Sequence, residues 1–162
     1  MKMKNEPKQS LQAKDDAGEL EFGELDGILG FHLRMANVAI FQDYQLAMSG
    51  MSLTPKQFAV LELIGANEGV SQMELATSLR MDKATMMALI NRLEERNLCK
   101  RGLSTTDRRR RELTITSEGT EMLQDARKRR AGHEERFKSR FTPSELETFI
   151  NGLKRIYNPS NQ

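Results

Sequence analysis

Apolar residues recur at three- and four-residue steps through most of this chain, and strict alternation replaces that rhythm in one place only. Over 22–48, Leu25, Ile28, Leu29, Leu33, Ala36 and Ile40 keep the helical step with few charges between them. Gly50, with Ser49 and Ser52, ends this segment. Such a broad apolar face on a terminal helix predicts packing against more than its own domain. Thr54, Pro55 and Gln57 then open a second helix as a capping box with proline at its first position, and Leu53 and Phe58 stand at staple spacing. Phe58, Leu61 and Ile64 form its buried stripe, and Asn67 and Gly69 are expected to break it through left-handed conformations.

Ser71 and Glu74 repeat the capping box for a short helix whose core face is Leu75, Ala76 and Leu79 and which ends near Arg80. Asp82 caps the following helix. At 100 degrees per residue Met86, Leu89, Ile90 and Leu93 share one side, and Ala84, Met87, Ala88 and Asn91 the other, with Lys83, Thr85 and Arg92 on the flanks. Asn97 suits the left-handed position that follows this helix. The alternating segment comes next: 98–101 as a strand, 102–110 as a polar loop, and 111–116 as a returning strand with Leu113 and Ile115 inward. Beyond it lie a long charged helix over 116–140 and a last helix that Thr142, Pro143 and Glu145 open and Asn158 and Pro159 stop. The first 19 residues are polar and read as a mobile arm.

Two capped helices joined by a tight turn at Arg80–Met81 and followed by a hairpin predict a mainly α fold with a small β element (α+β). We read it as a winged helix-turn-helix over about 53–116, flanked by N- and C-terminal dimerisation helices over about 22–49 and 117–157. These make a single domain over 21–158, with an arm before it at 1–20 and a tail at 159–162.

Charge sharpens the picture locally rather than globally. The net charge is only +2, so its distribution matters more. Asp107 precedes four consecutive arginines on the hairpin loop. Arginine suits bidentate phosphate contact and narrow minor grooves, and Asp107 can pair with a neighbour and hold the loop tip in shape. The outward face of the 83–95 helix is small or uncharged apart from Glu95, and small residues let a helix approach base edges. The expected partner is therefore double-stranded DNA, bound as a homodimer because one helix-turn-helix covers one half-site. Thr85, Met87, Ala88 and Asn91 are expected to face bases, and Lys83 and Arg92 the phosphates or groove edges. Arg108, Arg109 and Arg110 are expected to serve the wing, steadied by Asp107.

The rest of the sequence mainly excludes. His32 and His133 lie far apart with no motif joining them, and no glycine loop cradles a phosphate, so no enzyme is expected. No cofactor or metal is expected either, because the clustered ligands a metal needs are missing. Lone Cys99 cannot form an internal disulfide and fits a reducing, cytoplasmic setting. No apolar run is long enough to span a membrane. Two other readings use parts of the pattern: a dimeric winged-helix interaction module that does not bind DNA, and a redox sensor acting through Cys99.

The pattern resembles the MarR (multiple antibiotic resistance regulator) family of bacterial transcription factors. Leu53–Leu61 is similar to the opening of that family's second helix, and Ala84–Thr85 with Asn91–Arg96 to its recognition helix. Asp107–Arg109, Leu113–Thr116 and Gly119 are similar to its wing and exit. Two departures stand out: Asn97 where the family commonly has glycine, and Met87–Ala88 where it often has Thr-Arg. The resemblance implies an obligate homodimer and a repressor at a pseudo-palindromic operator, released by a small aromatic or anionic effector. It places the effector between the dimer helices and the DNA-binding lobe, where Phe31, His32, Arg34, Met35, Phe41 and Phe58 are available. Aromatic walls with one arginine suit an aromatic carboxylate or its CoA thioester.

Overall fold

The structure is a computed structural model that describes residues 20–103 and 111–158. A 3-10 helix, Gly23–Gly27, is followed by α1 (Leu29–Ala47), α2 (Pro55–Ala66), α3 (Gln72–Ser78) and α4 (Lys83–Glu95). Strands β1 (Cys99–Leu103) and β2 (Arg111–Ile115), then α5 (Ser117–Lys138) and α6 (Pro143–Tyr157), complete the described chain. It divides into two compact units, Met1–Met35 and Ala36–Gln162. The N-terminal arm, the loop residues Asp107–Arg110 and the C-terminal tail lie outside the described residues.

All three capping boxes form. Thr54 Oγ1 accepts from the Gln57 amide at 3.2 Å while Gln57 Oε1 accepts from the Thr54 amide at 3.0 Å. Ser71 with Glu74 and Thr142 with Glu145 repeat this geometry. The signal is local, so four residues suffice to specify it. The first apolar segment is less regular than its periodicity predicts. It is not one helix from residue 22: the chain leaves the 3-10 turn through an extended Ile28 (φ −96°, ψ 111°) before α1 begins. The turn after α2 also differs in part. Gly69 takes the left-handed conformation (φ +75°) but Asn67 does not (φ −135°), and its side chain instead donates to the Leu63 carbonyl.

In the longer unit, α2, α3 and α4 pack around Val60, Leu61, Ile64, Leu75, Met86, Ile90 and Leu93, all buried to within 1%. The antiparallel hairpin closes over this core, with Cys99 opposite Ile115 and Leu103 opposite Arg111. The first strand thus runs two residues past the expected Arg101. Leu113 is the hairpin's deep contact and also bridges Val70, whose carbonyl accepts the Leu113 amide at 2.9 Å. Asn97, at φ +55°, makes the predicted left-handed exit from α4. Its carbonyl accepts from Thr116 Oγ1, which caps α5 by accepting the Gly119 amide. Helix and hairpin approach so closely there that a Cβ on Gly119 would lie 1.9 Å from the Leu98 carbonyl oxygen. A residue with any side chain is excluded at that point.

One polar group is deeply buried between α1 and α5. His133, 2% exposed, donates from Nδ1 to the Asp43 carboxylate at 2.6 Å. Tyr44 and Phe137 stand edge-on to its ring, at 5.6 and 5.4 Å. Arg136 grips the same carboxylate from Nε and Nη2. Helix α6 buries none of its residues.

Candidate nucleic-acid interface

Helix α4 is fixed at both ends. At its start Asp82 accepts from the Thr85 amide (2.8 Å) and hydroxyl (2.6 Å), and these bonds hold its carboxyl below the usual range. Near its end Arg96 donates to the Ser52 and Met51 carbonyls at 2.8 and 3.1 Å, joining the helix to the turn before α2. Arg80, left-handed at φ +50°, makes the tight corner between α3 and α4. The Met81 amide closes that corner on the Ala76 carbonyl at 2.9 Å.

Between these anchors the two faces separate as the periodicity predicts. Met86, Leu89, Ile90 and Leu93 are buried, whereas Lys83, Met87, Ala88, Asn91 and Arg92 are exposed. Thr85 is half-buried, and its hydroxyl is committed to the cap. Arg108, Arg109, Arg110 and Asp107 fall outside the described residues, so the wing is represented by its two strands. Arg111, at the start of β2, is exposed.

The hairpin contributes one contact that periodicity does not reveal. Arg101 of β1 donates from Nη2 to Asn91 Oδ1 at 2.8 Å and from Nη1 to the Glu94 carboxylate. Its own amide donates to Glu94 Oε1 at 2.8 Å. The pairing crosses a helix-to-strand corner, so the only hint in the sequence is a pair of opposite charges seven positions apart, wider than the three or four of an ion pair along a helix.

The expected effector residues separate into distinct environments. In the shorter unit, Phe31 is half-buried against Phe22, and His32 bonds the Asp26 carbonyl at 2.7 Å. Arg34 and Met35 are exposed there, and among the described residues Arg34 meets only the Met35 sulfur. In the longer unit Phe58 is a core residue, 8% exposed, with the Arg130 guanidinium 5.2 Å above its ring. Phe41 alone of the six lines a cleft of about 780 Å³ that α1, the start of α2 and α4 enclose. Thr85, Ala88 and Arg92 of α4 form one wall of that cleft, and Asn37 and Lys56, which the sequence did not single out, form others. Cys99 is buried, and desolvation pushes its thiol up to about 11.

A model of the MarR family matches residues 49–110. The putative transcriptional regulatory protein for the hcr operon of Thauera aromatica is 33% identical over 93% of this chain and 91% of its own length. The chain belongs to the MarR family. The winged helix-turn-helix and the regulator class expected of it stand with that membership, which is one of transcriptional regulators. Among solved structures, the transcriptional repressor CouR bound to a 23-mer DNA duplex matches with a TM-score of 0.81 and 35% identity. That match covers 86% of this chain and 99% of the other. CouR of Rhodococcus jostii RHA1 bound to p-coumaroyl-CoA matches with a TM-score of 0.77 and 26% identity, over 83% and 95% of the two chains. Among the described residues no helix of this MarR-family chain is long and apolar enough to cross a membrane.

Proposed function

We propose that this protein is a ligand-relieved repressor that binds a pseudo-palindromic operator as a homodimer. The observation that carries the reading is α4: a helix locked at both ends by Asp82 and Arg96 that exposes Met87, Ala88 and Asn91 between Lys83 and Arg92. Ordinary solvated helices expose lysine and glutamate. A small, uncharged centre flanked by cations matches what a major groove requires, with phosphates outside and base edges within. The similarity to DNA-bound CouR supports this use of the fold. Arg108, Arg109 and Arg110 supply the wing's contacts, one in a minor groove and the others at phosphates, with Asp107 steadying the tip.

The cleft supplies the release. Its walls carry an aromatic ring, Phe41, and two cations, Lys56 and Arg92. That lining suits an aromatic acid or its CoA thioester, and CouR's complex with p-coumaroyl-CoA supports the same class. Because Thr85, Ala88 and Arg92 also belong to the recognition face, an occupant bears directly on the helix that reads DNA. A hundredfold loss of operator affinity requires about 2.7 kcal/mol of preference for the DNA-free shape.

The reading is tested by selecting duplexes from fragmented genomic DNA and measuring affinity by anisotropy at several salt concentrations. Arg92→Ala and Arg109→Ala should each weaken all sequences similarly and reduce the salt slope by roughly one unit. Aromatic acids and their CoA thioesters are then titrated for release. If no duplex binds at moderate salt, the protein is instead a winged-helix interaction module. An unchanged slope in Arg109→Ala removes the wing from the interface.

A further inference from the structure

Asn91 stands at the centre of the exposed face of α4, and its amide is not free to choose an orientation. Arg101 Nη2 lies 2.8 Å from the Asn91 side chain. A guanidinium has five N–H donors and no acceptor, so the amide atom facing it must be the carbonyl oxygen. The guanidinium is itself held, because its Nη1 and the Arg101 backbone amide both engage the Glu94 carboxylate one helical turn further on. Arg101 and Glu94 keep only about a quarter of their side-chain surface exposed, at 22% and 27%. Oδ1 is thereby turned towards β1 and Nδ2 away from it. Among the described residues nothing accepts a hydrogen bond from Nδ2.

This geometry decides what the residue can read. Asparagine meets adenine with both amide atoms, Oδ1 accepting from N6 and Nδ2 donating to N7. That pair needs both atoms on the base edge together. Arg101 fills one of the two Oδ1 lone pairs and keeps the oxygen facing β1, so Nδ2 is the atom left to lead onto a base edge, and the edge best matched to a donor is guanine's, with acceptors at both N7 and O6. We propose that Arg101 is a positioning residue for sequence recognition. By holding Oδ1 towards β1 it leaves the Nδ2 donor as the atom that Asn91 presents, and so selects guanine over adenine at its base pair. The inference rests on the DNA-binding reading above and adds the specificity of one position within it.

The test is selection from a randomised duplex pool followed by measured affinities, using the full chain. Asn91→Ala identifies the base pair concerned, as the one whose preference disappears. At that position the unaltered protein should favour guanine over adenine by about tenfold. Arg101→Lys keeps the charge but loses the fork that spans Glu94 and Asn91, so the guanine-to-adenine ratio should fall to near unity. A ratio is insensitive to general loss of affinity or stability, which a merely structural role for Arg101 would produce. Asn91→Asp keeps a partner for Arg101 and presents only acceptors, so preference should turn to cytosine, whose N4 donates. Adenine preferred by the unaltered protein overturns the proposal, as does an Arg101→Lys protein that weakens both duplexes equally. If the unaltered protein enriches no duplex, the DNA-binding reading fails and this one with it.

Discussion

Cys99 shows how far one residue's surroundings determine its chemistry. It is 2% exposed at the base of the hairpin, opposite Ile115, and burial is the main reason its thiol is raised to about 11. The nearby Glu94 carboxylate pushes the same way, against a smaller opposing pull from Arg101. A redox sensor needs the reverse, an exposed thiol with a lowered pKa. At neutral pH the folded protein should therefore resist iodoacetamide for hours, while the urea-unfolded chain reacts at once. Operator affinity should not change after exposure to hydrogen peroxide. Rapid modification of the native protein, followed by mass spectrometry, would restore the redox reading.

At the scale of elements, acid should loosen the junction of α1 and α5 first. The hydrogen bonds from Arg136, and after them that from His133, hold the Asp43 carboxyl below its ordinary value of 3.8. A depressed carboxylate stabilises the fold above its unfolded pKa and loses that contribution as pH falls through the folded value. Glu62, held by Arg127, and Asp82, held by Thr85, act in the same direction. The melting temperature should be nearly flat from about pH 7 to about pH 5 and drop below about pH 4. Asp43→Asn should melt lower at neutral pH with a shallower acid limb, and an unchanged acid limb would exclude Asp43 as its source. Of this junction, only the place of His133 on a charged helix is legible in the sequence. Asp43 is ninety positions away, and no period links such residues. Caps and amphipathic faces, by contrast, are complete within a turn or two, which is why Thr54, Ser71, Asp82 and Thr142 were legible. The same division separates Met87, Ala88 and Asn91, readable from the helical period, from Arg101, Lys56 and Asn37, which only the folded chain brings to the site.

Among the described residues, large apolar side chains are exposed on two of the helices expected to dimerise. Along α1, Leu29, Ile40, Phe41 and Leu46 are exposed; along α6, Phe149, Ile150 and Ile156 are. The Phe149 ring stacks on Phe141 at 5.6 Å, so even this pair forms a platform rather than a core. Exposed apolar side chains, where they gather on one face, mark association surfaces. A second copy is the occupant that also answers the DNA problem, since two recognition helices on a two-fold axis can enter successive major grooves. Sedimentation should find a dimer at micromolar concentration. Ile150→Glu combined with Phe149→Asp adds two charges to α6, which buries no side chain of its own, so the winged core should stay folded while the dimer dissociates. Each monomer would then hold one half-site without the effective concentration its partner provides, and operator affinity should fall by about a hundredfold or more. A variant that remains dimeric would remove α6 from the interface, and an unaltered chain that sediments as a monomer would remove the homodimer itself.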